Sequence, residues 1–234
     1  MELSRRNGNF DLWRILNMPS GFYVRNADSF IQIDGSHQNL VLKDAGNVSV
    51  GASSSTTVRV SAQTPCVAVR PDQGVVVYWL NRVDATSWDI VFSASDNQGA
   101  TARWFLFDRQ DEVTEFKTDY GLRVSNEFGQ VVFDSRQRYM RVLGMVTPTI
   151  STGSVSWTFD EIPAFVLCGT AFRGWLRSGA NDVRYIGRGA SRSDNTLYYY
   201  PTVVMRSGPW NGGDGYLYDF PASIVFVGTK FLPQ

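Results

Sequence analysis

The chain has 234 residues, of which 43% are hydrophobic, 14% aromatic and 19% charged, and its formal net charge is zero. This composition is too apolar for a disordered chain, and the absence of net charge disfavours a general nucleic-acid binder, which is normally basic. The length allows one large β domain or two small domains. No apolar segment approaches the length of a transmembrane helix, so we expect no membrane insertion.

Short alternating apolar runs follow one another along most of the chain. The first half contains TTVRVSA, CVAVR, GVVVYWL, WDIVFSA and RWFLFD, and the second half contains SVSWTF, AFVLCG, VRYIG, TLYYYP, TVVMRS and SIVFVG. Gly, Asn, Asp and Ser separate these runs, as is typical of strands joined by turns. The best helical candidate is the short segment FDLWRIL at residues 10–16, which fits a lead-in strand equally well. We therefore predict an all-β chain of the sandwich or barrel type.

One phrase occurs twice without a gap, at residues 21–42 and again at residues 121–142. The first copy is GFYVRNADSFIQIDGSHQNLVL and the second is GLRVSNEFGQVVFDSRQRYMRV. The apolar positions match better than the letters do, and their period of two places each set on one face of a strand. Each copy predicts a strand, a tight hairpin, a second strand, a turn and a third strand. The identical pairs are Gly21/Gly121, Val24/Val124, Asn26/Asn126 and Asp34/Asp134.

The repeated phrase has two interpretations. In the first, the chain is two tandem β-sandwich domains of jelly-roll-like type, related by an internal repeat and covering residues 1–118 and 119–234. The boundary then falls in the polar segment 108–121, DRQDEVTEFKTDYG, because domain boundaries favour such segments. In the second, two unrelated β-meanders share a similar spacing of strands and turns.

The turn of the second copy has residues suited to a hairpin. Asn126 at the head of NEFG can hydrogen bond the backbone two residues further on, and Gly129 can adopt the positive φ that a hairpin exit often needs.

Residue types that carry catalysis or bind metals are scarce. His37 is the only histidine and lies in DGSHQN, where a solvated loop residue is expected. Cys66 and Cys168 do not form a disulfide framework, and each lies in an apolar run, so we expect two buried thiols. One histidine and two distant cysteines do not supply a zinc site. A glycosidase could work with two carboxylates, but no spacing singles out a pair. We therefore predict no enzymatic activity, no metal and no cofactor.

Two glycine-rich segments invite a ligand-binding interpretation. GRGASRS at residues 187–193 resembles a phosphate loop, but a strand-like segment follows it where such a loop needs a helix. We expect a long flexible loop there. NGGDG at residues 211–215 has too few oxygen ligands for calcium and is expected to be a plain turn.

The last third of the chain is the best candidate for contact with a partner. It is rich in arginine, which suits bidentate contacts with anionic groups, and in tyrosine and tryptophan, which favour interfaces and sugar stacking. Three consecutive tyrosines on a strand cannot all face inward, so at least one ring should be exposed. The candidate contact residues are Arg173, Arg177, Arg184, Arg188, Tyr198, Tyr199, Tyr200, Trp210 and Tyr216.

The two copies of the phrase resemble a motif of small tail proteins of tailed bacteriophages. The first copy matches at Gly21, Val24, Asn26, Ile33 and Asp34; the second matches at Gly121, Val124, Asn126, Gly129, Phe133, Asp134, Ser135, Tyr139, Arg141 and Val142. The first copy departs from the motif at Ser29, where the motif has glycine, and at Gly35, where it has serine. The likeness covers about a fifth of the chain.

This resemblance implies a virion protein of the distal tail, in the baseplate, the tail tip or a fibre-associated part. It implies no catalytic residues. The N-terminal residues 1–16 lack a signal-peptide pattern, so synthesis in the host cytoplasm is expected. The expected partners are other phage tail proteins and further copies of the chain, with a trimer favoured. The alternative function is a tail adhesin that binds a surface glycan, pilus or outer-membrane receptor of the host.

Overall fold

The computed structural model describes residues 24–25, 31–33, 39–52, 54–95, 98–110, 120–126, 128–147, 155–168, 172–176, 183–207 and 223–233. The chain is all-β, as predicted, and no helix occurs among these residues. The strands are β1 (Val24–Arg25), β2 (Ile31–Ile33), β3 (Leu40–Val50), β4 (Ser55–Ser61), β5 (Cys66–Gln73), β6 (Val76–Arg82), β7 (Ser87–Ala94), β8 (Ala100–Arg109), β9 (Arg123–Ser125), β10 (Val131–Asp134), β11 (Val142–Val146), β12 (Val155–Thr158), β13 (Pro163–Cys168), β14 (Phe172–Leu176), β15 (Val183–Ser193), β16 (Thr196–Ser207) and β17 (Ser223–Gly228).

The chain divides into two compact units. The first comprises residues 1–39 and 116–136, and the second comprises residues 40–115 and 137–234. The first unit contains two small antiparallel hairpins, β1–β2 and β9–β10. The second unit contains two larger sheets. The division into domains at residues 118 and 119 stays a prediction.

Each large sheet of the second unit contains strands from both halves of the chain. The six-stranded sheet has the order β11-β17-β13-β5-β8-β3. The seven-stranded sheet has the order β12-β16-β15-β6-β7-β4, with β14 added beside β15. In both sheets, strands of the second half lie on one side and strands of the first half on the other. They meet in antiparallel pairs, β13 with β5 and β15 with β6.

The six-stranded sheet curls so that its two edges meet. An antiparallel bridge joins Val41 of β3 to Tyr139, just before β11. Two backbone hydrogen bonds hold it, from the Leu42 N–H to the Arg138 carbonyl oxygen at 2.7 Å and from the Met140 N–H to the Leu40 carbonyl oxygen at 2.9 Å. This contact covers part of both edge strands, which would otherwise present unpaired backbone groups.

Two hydrophobic clusters occupy the faces of the six-stranded sheet. Between the two sheets lies a cluster that includes Val69, Phe92, Phe165 and Tyr199, all completely buried. The opposite face carries a second cluster, which includes Phe105 and Phe107. Strands of this sheet are therefore apolar on both faces, which explains continuous runs such as the buried segment of β5.

The hairpin β9–β10 confirms the prediction for its turn. The Asn126 Oδ1 atom accepts hydrogen bonds from the Phe128 N–H at 3.0 Å and the Gln130 N–H at 2.9 Å. Gly129 has a φ of 78°, a conformation that glycine adopts without strain.

Two predictions about the second half are wrong. Residues 187–193 form part of the long strand β15 and not a flexible loop. Glycine and serine have low strand propensity, but pairing with β16 over the whole segment decides its structure. Cys168 is exposed, whereas Cys66 is half-buried. Burial along β13 extends only from Pro163 to Val166, so the last residue of the strand lies beyond the core.

Candidate functional site

Strands β14, β15 and β16 bring predicted contact residues together in one antiparallel ribbon. The first two of these strands cover residues 172–176 and 183–193. The paired positions are Arg173 with Ile186, Arg184 with both Trp175 and Arg206, and Arg188 with Pro201. Arg206, which faces Arg184, is not among the predicted contact residues. Arg177, Trp210 and Tyr216 lie outside the described residues, as do the side chains of Arg173, Arg184, Arg188 and Tyr200.

At least one tyrosine of the run in β16 is exposed, as predicted. Tyr198 is 39% exposed and pairs with Ser156 on one side and Ser191 on the other. Tyr199 is completely buried beside Ala190. The Tyr199 ring is therefore part of the core, and Tyr198 is the tyrosine of this run with a described, exposed side chain. An aromatic ring between two small hydroxyl residues suits stacking on a sugar or peptide group.

An arginine-rich cluster lies where β15 ends near the turn after β5. The Arg192 guanidinium donates to the Pro71 carbonyl oxygen at 2.9 Å and to the Asp72 carboxylate at 3.3 Å. Arg70 also donates to the Asp72 carboxylate, at 2.9 Å. Arg103 lies directly across from Arg70 in the sheet. Two arginines thus donate to one carboxylate and a third lies beside Arg70, which makes this surface locally basic.

The arginine-rich cluster spans both large sheets and ties them together. The side chains of Arg70 and Arg192 are 11% and 16% exposed, so their ion pairs are partly shielded from solvent. Such partly shielded pairs contribute more than the exposed ones, whose median worth is small. The sequence prediction did not single out Arg70 and Asp72, which lie in the segment VRPDQ at the end of β5.

The centre of the six-stranded sheet contains a polar contact and a cavity. The Tyr78 hydroxyl donates to the Val67 carbonyl oxygen at 2.7 Å and accepts from the Leu167 N–H at 2.9 Å. Burial raises the pKa of Tyr78 well above its ordinary value. A cavity of about 330 Å³ adjoins this contact. Cys66 lines it, and burial raises the pKa of the Cys66 thiol to about 11.

The motif residues of the second phrase have structural roles. The Asp134 carboxylate accepts hydrogen bonds from Arg136 at 2.8 Å and Arg123 at 3.1 Å. The Ser135 hydroxyl oxygen accepts from the Leu122 N–H at 2.8 Å. The guanidinium of Arg141 forms an ion pair with Glu161. These residues hold strands and turns in place.

Among the described residues, no group of three or more His, Cys, Asp or Glu side chains could hold a metal ion. Within the same part of the chain, no helix has the length and apolar character needed to cross a membrane.

Comparisons with known proteins identified no matching family model, curated protein or solved structure.

Proposed function

We propose that this chain is a structural component of the tail tip or baseplate of a tailed bacteriophage, where it assembles with other tail proteins in the distal tail of the virion. The supporting observation is the hairpin of residues 121–142. Its motif residues Asn126, Gly129 and Asp134 shape the turn and hold the strands. The resemblance to phage tail proteins is thus a resemblance in residues that build architecture, as an assembly protein requires.

The fold proposed with this function is two tandem jelly-roll-like units, residues 1–118 and 119–234. Both hairpins have the same register, since Val24 pairs with Ile33 and Val124 with Phe133. Each hairpin also skips one residue of its second strand at the matching position, Gln32 or Val132. Equivalent bulges at equivalent positions are features that families keep, which favours a duplication over two unrelated meanders.

The large sheets support the same proposal. In β3 the pairing with β8 skips Lys43, and in β11 the pairing with β17 skips Leu143. These two residues lie 100 positions apart, the same offset as the repeated phrase. The strand orders are symmetric as well. If β3, β4, β5, β6, β7 and β8 correspond to β11, β12, β13, β15, β16 and β17, each sheet has the same strand order from either edge.

The exposed apolar residues of the second hairpin are the surface proposed for contact with other tail proteins. Tyr120 is 90% exposed and Phe128 is 79% exposed. Leu122 is also largely exposed. Large aromatic rings in a surface favour protein interfaces, and symmetric self-association, with a trimer favoured, fits a tail component.

The test is whether the protein is built into phage particles. Virions purified from the phage that encodes this chain are analysed by mass spectrometry, and incorporation of Phe128→Asp is compared with that of the parent. We expect the parent in the particles and the variant depleted from them. A parent protein absent from purified virions overturns the proposal. The whole chain is used, because cutting at residue 118 would separate β5 from β13 and β6 from β15.

The alternative function is a tail adhesin that binds a host glycan or protein receptor. The observation that favours it is the exposed Tyr198 between Ser156 and Ser191, in the same ribbon as Arg184 and Arg206. The full-length protein is assayed for binding to host cells, with Tyr198→Ala as the variant and Phe128→Ala as the control. A loss of cell binding with Tyr198→Ala alone supports an adhesin; equal binding by both variants and the parent removes this support.

A further inference from the structure

The central strands β5 and β13 are held apart at one point by a side chain. Val69 and Phe165 face each other across these antiparallel strands. In the same register, Val67 lies opposite Leu167, two residues further along the strands. This pair has the same type of position in the hydrogen-bonding pattern as Val69 and Phe165. There the Tyr78 hydroxyl lies between the Val67 carbonyl oxygen and the Leu167 N–H and bonds to both. The hydroxyl thus replaces a direct backbone hydrogen bond and widens the gap between the strands.

The cavity of about 330 Å³ lies at this widened gap. Its lining includes Cys66 and Val67 from β5 and Val166 and Leu167 from β13. Tyr78 of β6 also contributes to it. The two central strands therefore have free space beside them at their diverging ends.

The two cysteines of the chain occupy those diverging ends. In the register set by Val69 and Phe165, Cys66 falls opposite Cys168. This position lies next to the Val67–Leu167 pair, so it is of the non-hydrogen-bonded kind, in which facing side chains approach most closely. Cys66 packs with the cluster that contains Ala68 and Val166, which places both thiols on the same face of the sheet.

The surroundings keep one thiol accessible and the other sheltered. Cys168 is exposed and Cys66 is half-buried, and both are free thiols. The Cys66 sulfur lies 3.7 Å from the Met140 sulfur, which holds it inside the curled sheet. The electrostatic influence of Cys168 is a second cause, after burial, of the raised pKa of Cys66, which agrees with their closeness in the register.

We propose that Cys66 and Cys168 form a disulfide bond across the central seam of the six-stranded sheet when the protein meets a small disulfide oxidant such as oxidised glutathione. A disulfide requires Cα atoms about 4.4–6.8 Å apart. The free space beside the diverging ends lets β5 and β13 approach to that separation. This inference does not depend on the proposed function.

The chemistry consists of two thiol–disulfide exchanges. The exposed Cys168 thiolate first attacks a sulfur of oxidised glutathione, which forms a mixed disulfide and releases one reduced glutathione. The Cys66 thiol then loses its proton and its sulfur attacks the Cys168 sulfur, which forms the Cys66–Cys168 bond and releases the second reduced glutathione. The protein loses two electrons and two protons, and the glutathione disulfide gains them.

The test uses the reduced full-length protein incubated with oxidised glutathione and then denatured without reductant. We expect a monomer lighter by two hydrogen atoms, and a cross-linked peptide pair containing Cys66 and Cys168 after proteolysis. The bond closes a loop of about 100 residues, so the oxidised protein should unfold roughly 10 °C higher than the reduced protein. Met140→Leu is the matched control, since it keeps both thiols and the side-chain volume, and it should oxidise as the parent does.

Three outcomes overturn the proposal. In the first, glutathione remains attached to Cys168 while Cys66 stays open to alkylation after denaturation. In the second, the cysteines form bonds only between chains. In the third, the cross-linked monomer unfolds at a lower temperature than the reduced protein, which would show that the bond forms only in a distorted state.

Discussion

The hydroxyl of Tyr78 donates a hydrogen bond to the carbonyl oxygen of Val67 at 2.7 Å. This contact connects the seven-stranded sheet, which holds β6, to the centre of the six-stranded sheet. The same oxygen accepts from the Leu167 N–H, so one hydroxyl satisfies polar groups of two strands in the core. Buried polar groups need such partners, because an unsatisfied group costs free energy of folding.

Replacing Tyr78 with phenylalanine tests this contact. The ring would keep its packing against Phe92 and Phe165, but the Val67 carbonyl and the Leu167 N–H would lose their bridge. We expect Tyr78→Phe to lower the free energy of unfolding by about 1–3 kcal/mol in denaturant titrations. Tyr198→Phe, which removes a hydroxyl from an exposed ring, should change it by less than about 0.5 kcal/mol. If Tyr78→Phe left the free energy of unfolding unchanged, β5 and β13 would pair directly without the hydroxyl.

Asp108 and Lys43 form an ion pair in which the two partners are unequal. The Asp108 side chain is fully buried, whereas Lys43 is 23% exposed. Besides Lys43, the carboxylate accepts hydrogen bonds from the N–H groups of Gln63, Thr64 and Arg109, each at 2.9 Å. Burial acts to raise the pKa of Asp108, but these bonds outweigh it and hold the pKa below its ordinary value.

Because Asp108 is more buried and has more partners than Lys43, substitutions at the two residues should lower the free energy of unfolding by different amounts. Asp108→Ala leaves three backbone N–H groups and the Lys43 ammonium without their acceptor. We therefore expect it to lower the free energy of unfolding by about 3–5 kcal/mol. Lys43→Met removes one donor and leaves the other three, so we expect about 1–2 kcal/mol. Both values are measured by chemical denaturation near neutral pH. Equal losses for the two variants would contradict the dominant role of the backbone donors.

Gly46 on β3 lies against the indole of Trp104. A Cβ atom at residue 46 would lie 2.6 Å from the nearest ring carbon, so Trp104 would have to move within a packed core. We expect Gly46→Ala to destabilise the protein by about 1–3 kcal/mol, as overpacking does. Gly144→Ala on β11 is the matched control, because its nearest neighbour would be Phe226 at 3.8 Å, an ordinary contact. Similar unfolding midpoints for the two variants would contradict the close approach at Gly46.

Local patterns in the sequence predicted the strands and the hairpin turn well. The alternation of apolar residues identified β4 to β8, β12, β13 and β17, and Asn126 and Gly129 identified the turn. Contacts between distant residues were not predictable in this way. The closure at Val41 and Tyr139 depends on the curl of the whole sheet, and no single segment encodes that curl.

The environment of the candidate contact residues was likewise only partly predictable from local sequence patterns. Alternation predicted that a tyrosine of β16 would be exposed, and Tyr198 is. Alternation could not predict which of Tyr198 and Tyr199 is exposed, because this depends on which face of β16 meets the other sheet. The pairing of Arg192 with Asp72 joins residues 120 positions apart, a separation at which sequence patterns carry no information on contact.

The last prediction concerns the pH dependence of Asp134, whose side chain is 1% exposed. A hydrogen bond from the Arg136 side chain, helped by Arg123, holds the pKa of Asp134 far below its ordinary value, although burial acts in the opposite direction. Because the folded pKa is depressed, the stabilisation is complete above the unfolded pKa of about 3.9 and is lost as the pH falls below it. Asp134→Asn should lower the free energy of unfolding by about 1–3 kcal/mol near pH 7. It should also reduce the fall in stability towards acid pH, measured by denaturation between about pH 7 and pH 3. Asp160→Asn, at an exposed site, is the control. An acid limb in Asp134→Asn as steep as in the parent would show that other carboxylates cause it.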